Sequence, residues 1–227
     1  MSELVTTDLR SGYGGLEVLH GVDLVVPAGG VTAVLGRNGA GKSTLLATLA
    51  GLVKVRSGRV RWGERDVTDW SVRDRAAAGM LLVPERGATF PDLTVAEHLQ
   101  VFAATDAEQA RVPDVLDRFP VLGERLEQRA GSLSGGEQQM LAMSRVLLQE
   151  PRLVLLDEVS SGLAPKVADL LFEVVADLGA RSTVVLVEQY VEDALRLADV
   201  VYVLDRGQVL WAGEPAELRD GRLPQGV

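Results

Sequence analysis

The chain has no cysteine in its 227 residues. That excludes a disulfide framework, thiolate metal ligation and a thiol nucleophile, and it fits a reducing cytoplasm. Only two histidines occur, His20 and His98. No apolar run approaches the roughly 18 residues that a membrane span needs. The start, Met1-Ser2-Glu3-Leu4, has neither the basic residues nor the apolar stretch of a signal peptide. The net charge of −9 is the wrong sign for broad nucleic-acid binding. Internal repeats and low-complexity tracts are absent. Lysine is also scarce: of 23 basic residues, only Lys42, Lys54 and Lys166 are lysines. A chain that uses arginine almost everywhere nonetheless places a compact ammonium in its glycine-rich loop.

That loop is Gly36-Arg37-Asn38-Gly39-Ala40-Gly41-Lys42-Ser43-Thr44. It follows the buried-strand pattern Val31–Leu35 and precedes a helical stretch, Lys42–Leu49, so it has the flanks that a phosphate loop requires. Glycines let successive N–H groups, Ala40's among them, turn toward phosphate oxygens, and the helix adds its positive end. Lys42 is placed to bridge the β- and γ-phosphates. The Ser43 hydroxyl is a ligand for Mg²⁺, and Thr44 makes a secondary contact. A plain glycine turn into a helix would not specify four positions at this spacing.

Further on, Leu153-Val154-Leu155-Leu156 delivers Asp157 and Glu158 at the end of an apolar strand. Parallel sheets bind ligands at that end. Asp157 is the expected metal-site acid and Glu158 the candidate base for an attacking water; a helix-capping acid pair is the bland alternative. Between these motifs stands Leu133-Ser134-Gly135-Gly136-Glu137-Gln138. A serine hydroxyl and two glycine amides at a helix start form a second anion site, although alone they would equally make a simple cap.

The rest of the chain supplies the fold class. The first thirty residues read as short strands separated by Gly12, Gly14-Gly15 and Pro27–Gly30. Residues 94–128 read as helical. Strands return at 153–156, 183–187 and 200–204, alternating with helices at 138–149, 166–178 and 191–197. Gln208–Glu214 reads as a last strand and turn, and Arg219–Val227 as a loose tail. Such alternation predicts an α/β fold with a mainly parallel sheet covered on both faces.

Together these motifs resemble the nucleotide-binding subunits of ATP-binding-cassette (ABC) transporters along essentially the whole chain. The resemblance implies a P-loop NTPase (RecA-like) core, an N-terminal antiparallel β region and an inserted α-helical subdomain. It implies one domain over 1–227, with core segments near 1–84 and 146–227 and a helical and signature subdomain near 85–145. Gly36–Thr44 corresponds to the Walker A loop, Leu133–Gln138 to the signature and Leu153–Asp157 to Walker B. Two such cassettes pack head to tail, so that Ser134, Gly135, Gly136 and Gln138 of one close on ATP held by the other. Tyr13 stands where the family places an aromatic against adenine.

Three departures from the general pattern are informative. Glu85 replaces a usual glutamine, Gln189 a usual switch histidine and Ala164 a usual aspartate. All three, with Ser134–Met143, Gly162–Lys166 and Phe90–Val95, resemble ATP-binding subunits of importers for branched-chain amino acids and related amides or urea. Arg86-Gly87-Ala88-Thr89 does not, since that subfamily usually has Gly-Arg-Arg there.

The implied protein hydrolyses ATP with Mg²⁺ held by Ser43, Asp157 and Glu85, uses Glu158 and Lys42 in catalysis, and lets Gln189 contact the γ-phosphate. Its implied partners are a second cassette (identical or sister), two transmembrane permease subunits and an extracytoplasmic solute-binding protein, at the cytoplasmic face of a bacterial plasma membrane. An exporter of lipid or drug, a soluble ABC protein of translation or repair, and a non-hydrolysing regulator are the alternatives. The single cassette argues against the second, and the intact Lys42, Ser134 and Glu158 against the third. With Gln189 in the histidine's place, no histidine titration near 6.5 is expected in turnover.

Overall fold

Alternating apolar and polar residues at the amino terminus build two long antiparallel strands, β1 (Leu4–Tyr13) and β2 (Leu16–Val26). The computed structural model describes residues 1–85 and 87–219. Short strands broken at Gly12 were expected, but β1 runs through that glycine. A Cβ there would lie 2.2 Å from the Leu16 carbonyl oxygen. Gly12 thus permits close approach of two strands, and the turn falls at Gly14-Gly15.

Strand β3 (Gly30–Leu35) is buried along Val31–Leu35 and leads through the glycine loop into α1 (Lys42–Leu49). Then come β4 (Val55–Trp62), β5 (Arg65–Asp66), α2 (Val72–Ala77) and β6 (Met80–Val83). The arginine-rich β4 gives little sequence signal, because only Val60 and Trp62 of it are buried. Helices α3 (Val95–Phe102), α4 (Asp106–Gln109), α5 (Val112–Arg118), α6 (Pro120–Gly123) and α7 (Gly135–Gln149) follow without an intervening strand. The last third alternates β7 (Leu153–Asp157), α8 (Pro165–Gly179), β8 (Thr183–Glu188), α9 (Val191–Leu197) and β9 (Val200–Asp205). It ends in β10 (Gln208–Gly213) and α10 (Pro215–Arg219). Of the loose tail expected over Arg219–Val227, Arg219 is the last residue of α10, and the rest lies outside the described residues.

Two sheets result. One is antiparallel in the order β2-β1-β4-β5; the other has the order β10-β9-β3-β8-β7-β6 and is parallel except at β10. Apolar side chains of α1 (Leu45, Leu46, Leu49) fill the space between the sheets with Leu4, Leu9, Val34, Leu155 and Val187. On the other face of the parallel sheet, α8 and the helical segment share one continuous core, from Leu99, Phe119 and Leu141 to Leu156, Leu171 and Leu186. Burial on both faces explains the unbroken apolar runs of β7 and β8.

A buried arginine fastens α2 to the rest. Arg75 is 2 % exposed, and its guanidinium donates to the carbonyls of Thr48, Leu49, Val67, Thr68 and Trp70. It thereby ties the end of α1 to the segment after β5.

Candidate nucleotide site

The glycine loop leaves β3 at Gly36 and closes onto α1 through backbone that only glycine adopts cheaply, with φ of 83° at Gly39 and 105° at Gly41. A Cβ on Gly36 would stand 2.2 Å from the Leu204 carbonyl oxygen. The turn between β9 and β10 supports the loop, since Gly207 N–H donates to the Ala40 carbonyl at 2.8 Å. Lys42 opens α1 and is 4 % exposed. Its Nζ donates to the carbonyls of Gly36 (2.8 Å) and Arg37 (3.4 Å) and lies 3.2 Å from Glu158 Oε1. Thr44 is buried behind it, and its carbonyl accepts from Thr48.

The end of β7 brings both acids to that loop. The Ser43 hydroxyl donates to Asp157 Oδ1 at 3.1 Å, across 114 residues of sequence. Burial pushes the Asp157 carboxyl above its ordinary value, and the negative charges of Glu158 and Glu85 add to this, while Ser43 and Lys42 oppose it. Glu158 sits at φ 47°, in the left-handed region, and its N–H donates to the Val187 carbonyl at 2.9 Å. That sharp turn directs its side chain back to Lys42. Such a backbone costs a residue with a Cβ on the order of 1 kcal/mol or more and is concentrated at functional sites.

Gln189 is exposed directly after β8 and shares a cavity of about 420 Å³ with Gly36, Arg37 and Asn38. Glu85, which follows β6 by two residues, borders a second cavity of about 430 Å³ with Gly135, Gln138 and Glu158. Glu158 therefore joins the loop on one side to the start of α7 on the other. Tyr13 is 55 % exposed at the end of β1, two residues past Ser11, whose hydroxyl is 2.7 Å from that of Thr48 on α1. Arg56 pins the turn beyond it by donating to the carbonyls of Gly14 and Leu16.

Ser134 caps α7 in a reciprocal box. Its hydroxyl accepts from Glu137 N–H (3.3 Å), and Glu137 Oε2 accepts from Ser134 N–H (2.8 Å). The hydroxyl hydrogen can still donate, and Gly135 and Gly136 contribute the first helical amides. Gln138 departs from the expectation: its Nε2 donates inward to the carbonyls of Ala130 (3.0 Å) and Leu133 (3.2 Å). Those bonds use both amide hydrogens, so Gln138 shapes the turn before α7 and is not a phosphate donor in this arrangement.

One acid in this region was not distinguished in the sequence. Glu188, the last residue of β8, is 1 % exposed. Ser160 holds it through N–H to Oε1 (3.3 Å) and Oγ to Oε2 (3.0 Å). Burial raises its carboxyl to about 7, and the charge of Glu158 contributes. The signal was available: Thr-Val-Val-Leu-Val-Glu repeats the pattern of an apolar strand ending in an acid.

The oxygen donors fit a hard divalent cation. Ser43 and Asp157 offer a hydroxyl and a carboxylate side by side, and a magnesium site commonly uses one or two carboxylates with substrate phosphates and water. Among the described residues no group of three His, Cys, Asp or Glu side chains forms a self-sufficient metal cage.

Residues 19–161 match the family described as ABC transporter. The chain is 43% identical over 202 residues to the high-affinity branched-chain amino acid transport ATP-binding protein BraG of Pseudomonas aeruginosa, covering 87% of each. It is 39% identical over 220 residues to a probable branched-chain amino acid transport ATP-binding protein, LivF, of Archaeoglobus fulgidus, covering 95% of this chain and 93% of that one. Among solved structures it is similar to the ADP conformation of an ATP-binding cassette of an ABC transporter. The TM-score is 0.85 at 26% identity, covering 97% of this chain and 94% of that one. The phosphate loop, the paired acids of β7 and these likenesses lead to one conclusion: the chain belongs to the ABC transporter family, as an ATP-binding cassette.

Proposed function

We propose that this cassette powers uptake of branched-chain amino acids or related small polar solutes. The observation that carries its hydrolytic part is the contact chain Ser43–Asp157 and Lys42–Glu158 on one phosphate loop. In this reading Gly36–Thr44 holds the phosphates of ATP, and Tyr13 stacks on its base. Ser43 and Asp157, with Glu85 nearby, would hold Mg²⁺, which neutralises phosphate charge when bound. Lys42 links recognition to chemistry, because an arriving phosphate competes with Glu158 for the same ammonium. Once released, Glu158 accepts a proton from the attacking water.

Ser134, Gly135 and Gly136 then serve the nucleotide of a second cassette, identical or a sister. No helix among the described residues is long and apolar enough to cross a membrane. Membrane passage in this reading belongs to two permease subunits, fed by an extracytoplasmic binding protein, with the cassette at the cytoplasmic face. A groove lined by Leu52, Val72, Phe90 and Phe102 suits the permease contact; Leu52 and Phe90 are 61% and 56% exposed.

The cargo rests on the likeness to BraG and LivF. Proteoliposomes carrying the cassettes, permeases and binding protein should accumulate leucine, isoleucine or valine only with ATP. Movement of lipid or drug outward, with no amino-acid uptake, would replace import by export.

Gln189 faces the loop from β8. Gln189→Ala is expected to lower kcat with little change in ATP affinity, because the lost hydrogen bond matters most as the γ-phosphate departs. Steady-state ATPase assays beside nucleotide titrations check this. Wild-type turnover would remove Gln189 from the γ-phosphate contacts.

A further inference from the structure

The hydrolytic scheme leaves one buried acid without a task. Glu188 lies where three functional segments meet. Its backbone pairs in register with Leu35, the residue before the glycine loop. Its carboxylate is gripped by Ser160, two residues after Glu158, and its peptide continues into Gln189. On the same side the Glu158 N–H is bonded to the carbonyl of Val187, the residue before Glu188. One strand end thereby holds the turn carrying Glu158 twice, once by backbone and once by side chain.

We infer that Glu188 is a positioning residue for hydrolysis: clamped by Ser160, it fixes the Glu158 turn and the Gln189 peptide against each other over the phosphate loop. The inference rests on the reading of Glu158 as the base. A purely structural acid would be costly at this depth, since burying a carboxylate is unfavourable without compensating bonds. An apolar residue would continue the strand without that cost, but it could not reach across to Ser160.

The clamp also tolerates a proton. Ser160 N–H donates to Oε1 in either state, and the Ser160 hydroxyl can donate to the carboxylate or accept from the carboxylic acid. Protonation therefore removes a charge beside Glu158 while keeping both bonds. The carboxyl titrates at about 7, where a histidine would have titrated one residue later. The charges facing it are Glu158, from the turn after β7, and through Glu158 the ammonium of Lys42 on α1. From β3 its backbone pairs with the uncharged Leu35. A missing histidine titration near about 6.5 therefore need not leave kcat flat: an inflection near 7 is expected, with turnover rising as Glu188 ionises and its bonds from Ser160 become charge-assisted.

The experiment measures ATPase pH profiles of the assembled transporter with Glu188→Ala, Glu188→Gln and Ser160→Ala. Glu188→Ala is expected to lower kcat by roughly tenfold to a hundredfold, the scale of a misplaced catalytic group, with KM for ATP within about twofold. Glu188→Gln, whose amide can accept from Ser160 N–H and donate to its hydroxyl, should hold turnover near the parent's low-pH level, above that of Glu188→Ala, and lack the inflection. Ser160→Ala removes a bond that holds the carboxyl down, so its inflection should move to higher pH. A Glu188→Ala enzyme with wild-type kcat overturns the positioning role, and an inflection unchanged in Glu188→Gln overturns the titration. Should Glu188→Ala fail to fold, the Glu188→Gln and Ser160→Ala profiles decide. Glu158→Gln run in parallel separates failure of the base assignment from failure of this inference. Carboxyl ¹³C titration of the isolated chain reads the Glu188 proton without turnover, and an ordinary carboxylate value there would also overturn it.

Discussion

Replacing Glu158 by Gln is expected to leave ATP binding in place and to slow hydrolysis at least about a hundredfold, the usual contribution of a general base. The substitution keeps volume and one oxygen but removes proton affinity. The strained backbone at φ 47° and the bond from its N–H to Val187 remain, so the turn should survive. Loss of the contact with Lys42 works in the same direction for binding: the ammonium, no longer shared with a carboxylate, becomes more available to phosphate. Nucleotide affinity should therefore be equal to or tighter than in the parent chain while single-turnover cleavage collapses. Equilibrium binding of ATP and quench-flow measurement of phosphate release separate the two. Near-parental cleavage would assign the base elsewhere.

Arg75→Leu carries the largest expected cost in stability, on the order of 3 kcal/mol, because a buried charged donor to five backbone carbonyls is removed. Leucine fills part of the volume but donates nothing. Carbonyls of Thr48, Leu49, Val67, Thr68 and Trp70 would lose a charged donor. Each buried acceptor left unpaired costs about 1–3 kcal/mol, less where water or backbone movement relieves it. For a chain of this size the midpoint of thermal unfolding should fall by roughly 10 °C. Calorimetry with and without ATP measures it, and a fall under about 2 °C would mean that water replaces the guanidinium without loss. Lysine should rescue little, because one ammonium cannot reach five carbonyls with the planar fork of arginine.

Much of the site was legible because its parts are contiguous. A phosphate loop needs glycines, a lysine and a hydroxyl within nine residues, and Gly36–Thr44 carries them together. An apolar strand ending in Asp157-Glu158 announces itself for the same reason. Helix α1 and helix α9 fall on the residues expected, since a glycine or a change of periodicity marks their ends. Gly12 was misjudged as a breaker because sequence cannot distinguish a glycine that turns from one that admits a neighbouring strand. Strand β4 was missed because one of its faces is polar and arginine-rich.

By itself, then, the sequence determined where the binding chemistry is concentrated: glycines with a lysine and a hydroxyl in one loop, paired acids at one strand end, a serine with two glycines at the start of α7. Only the tertiary structure decided which of these groups share a charge or a proton. Ser43 and Asp157 meet across 114 residues, and Lys42 is shared with Glu158. Gln138 spends its amide on its own turn. Arg75 carries no local sign of its burial, because desolvation depends on what the rest of the chain packs around a residue. That is a property of the fold, and no local pattern encodes it.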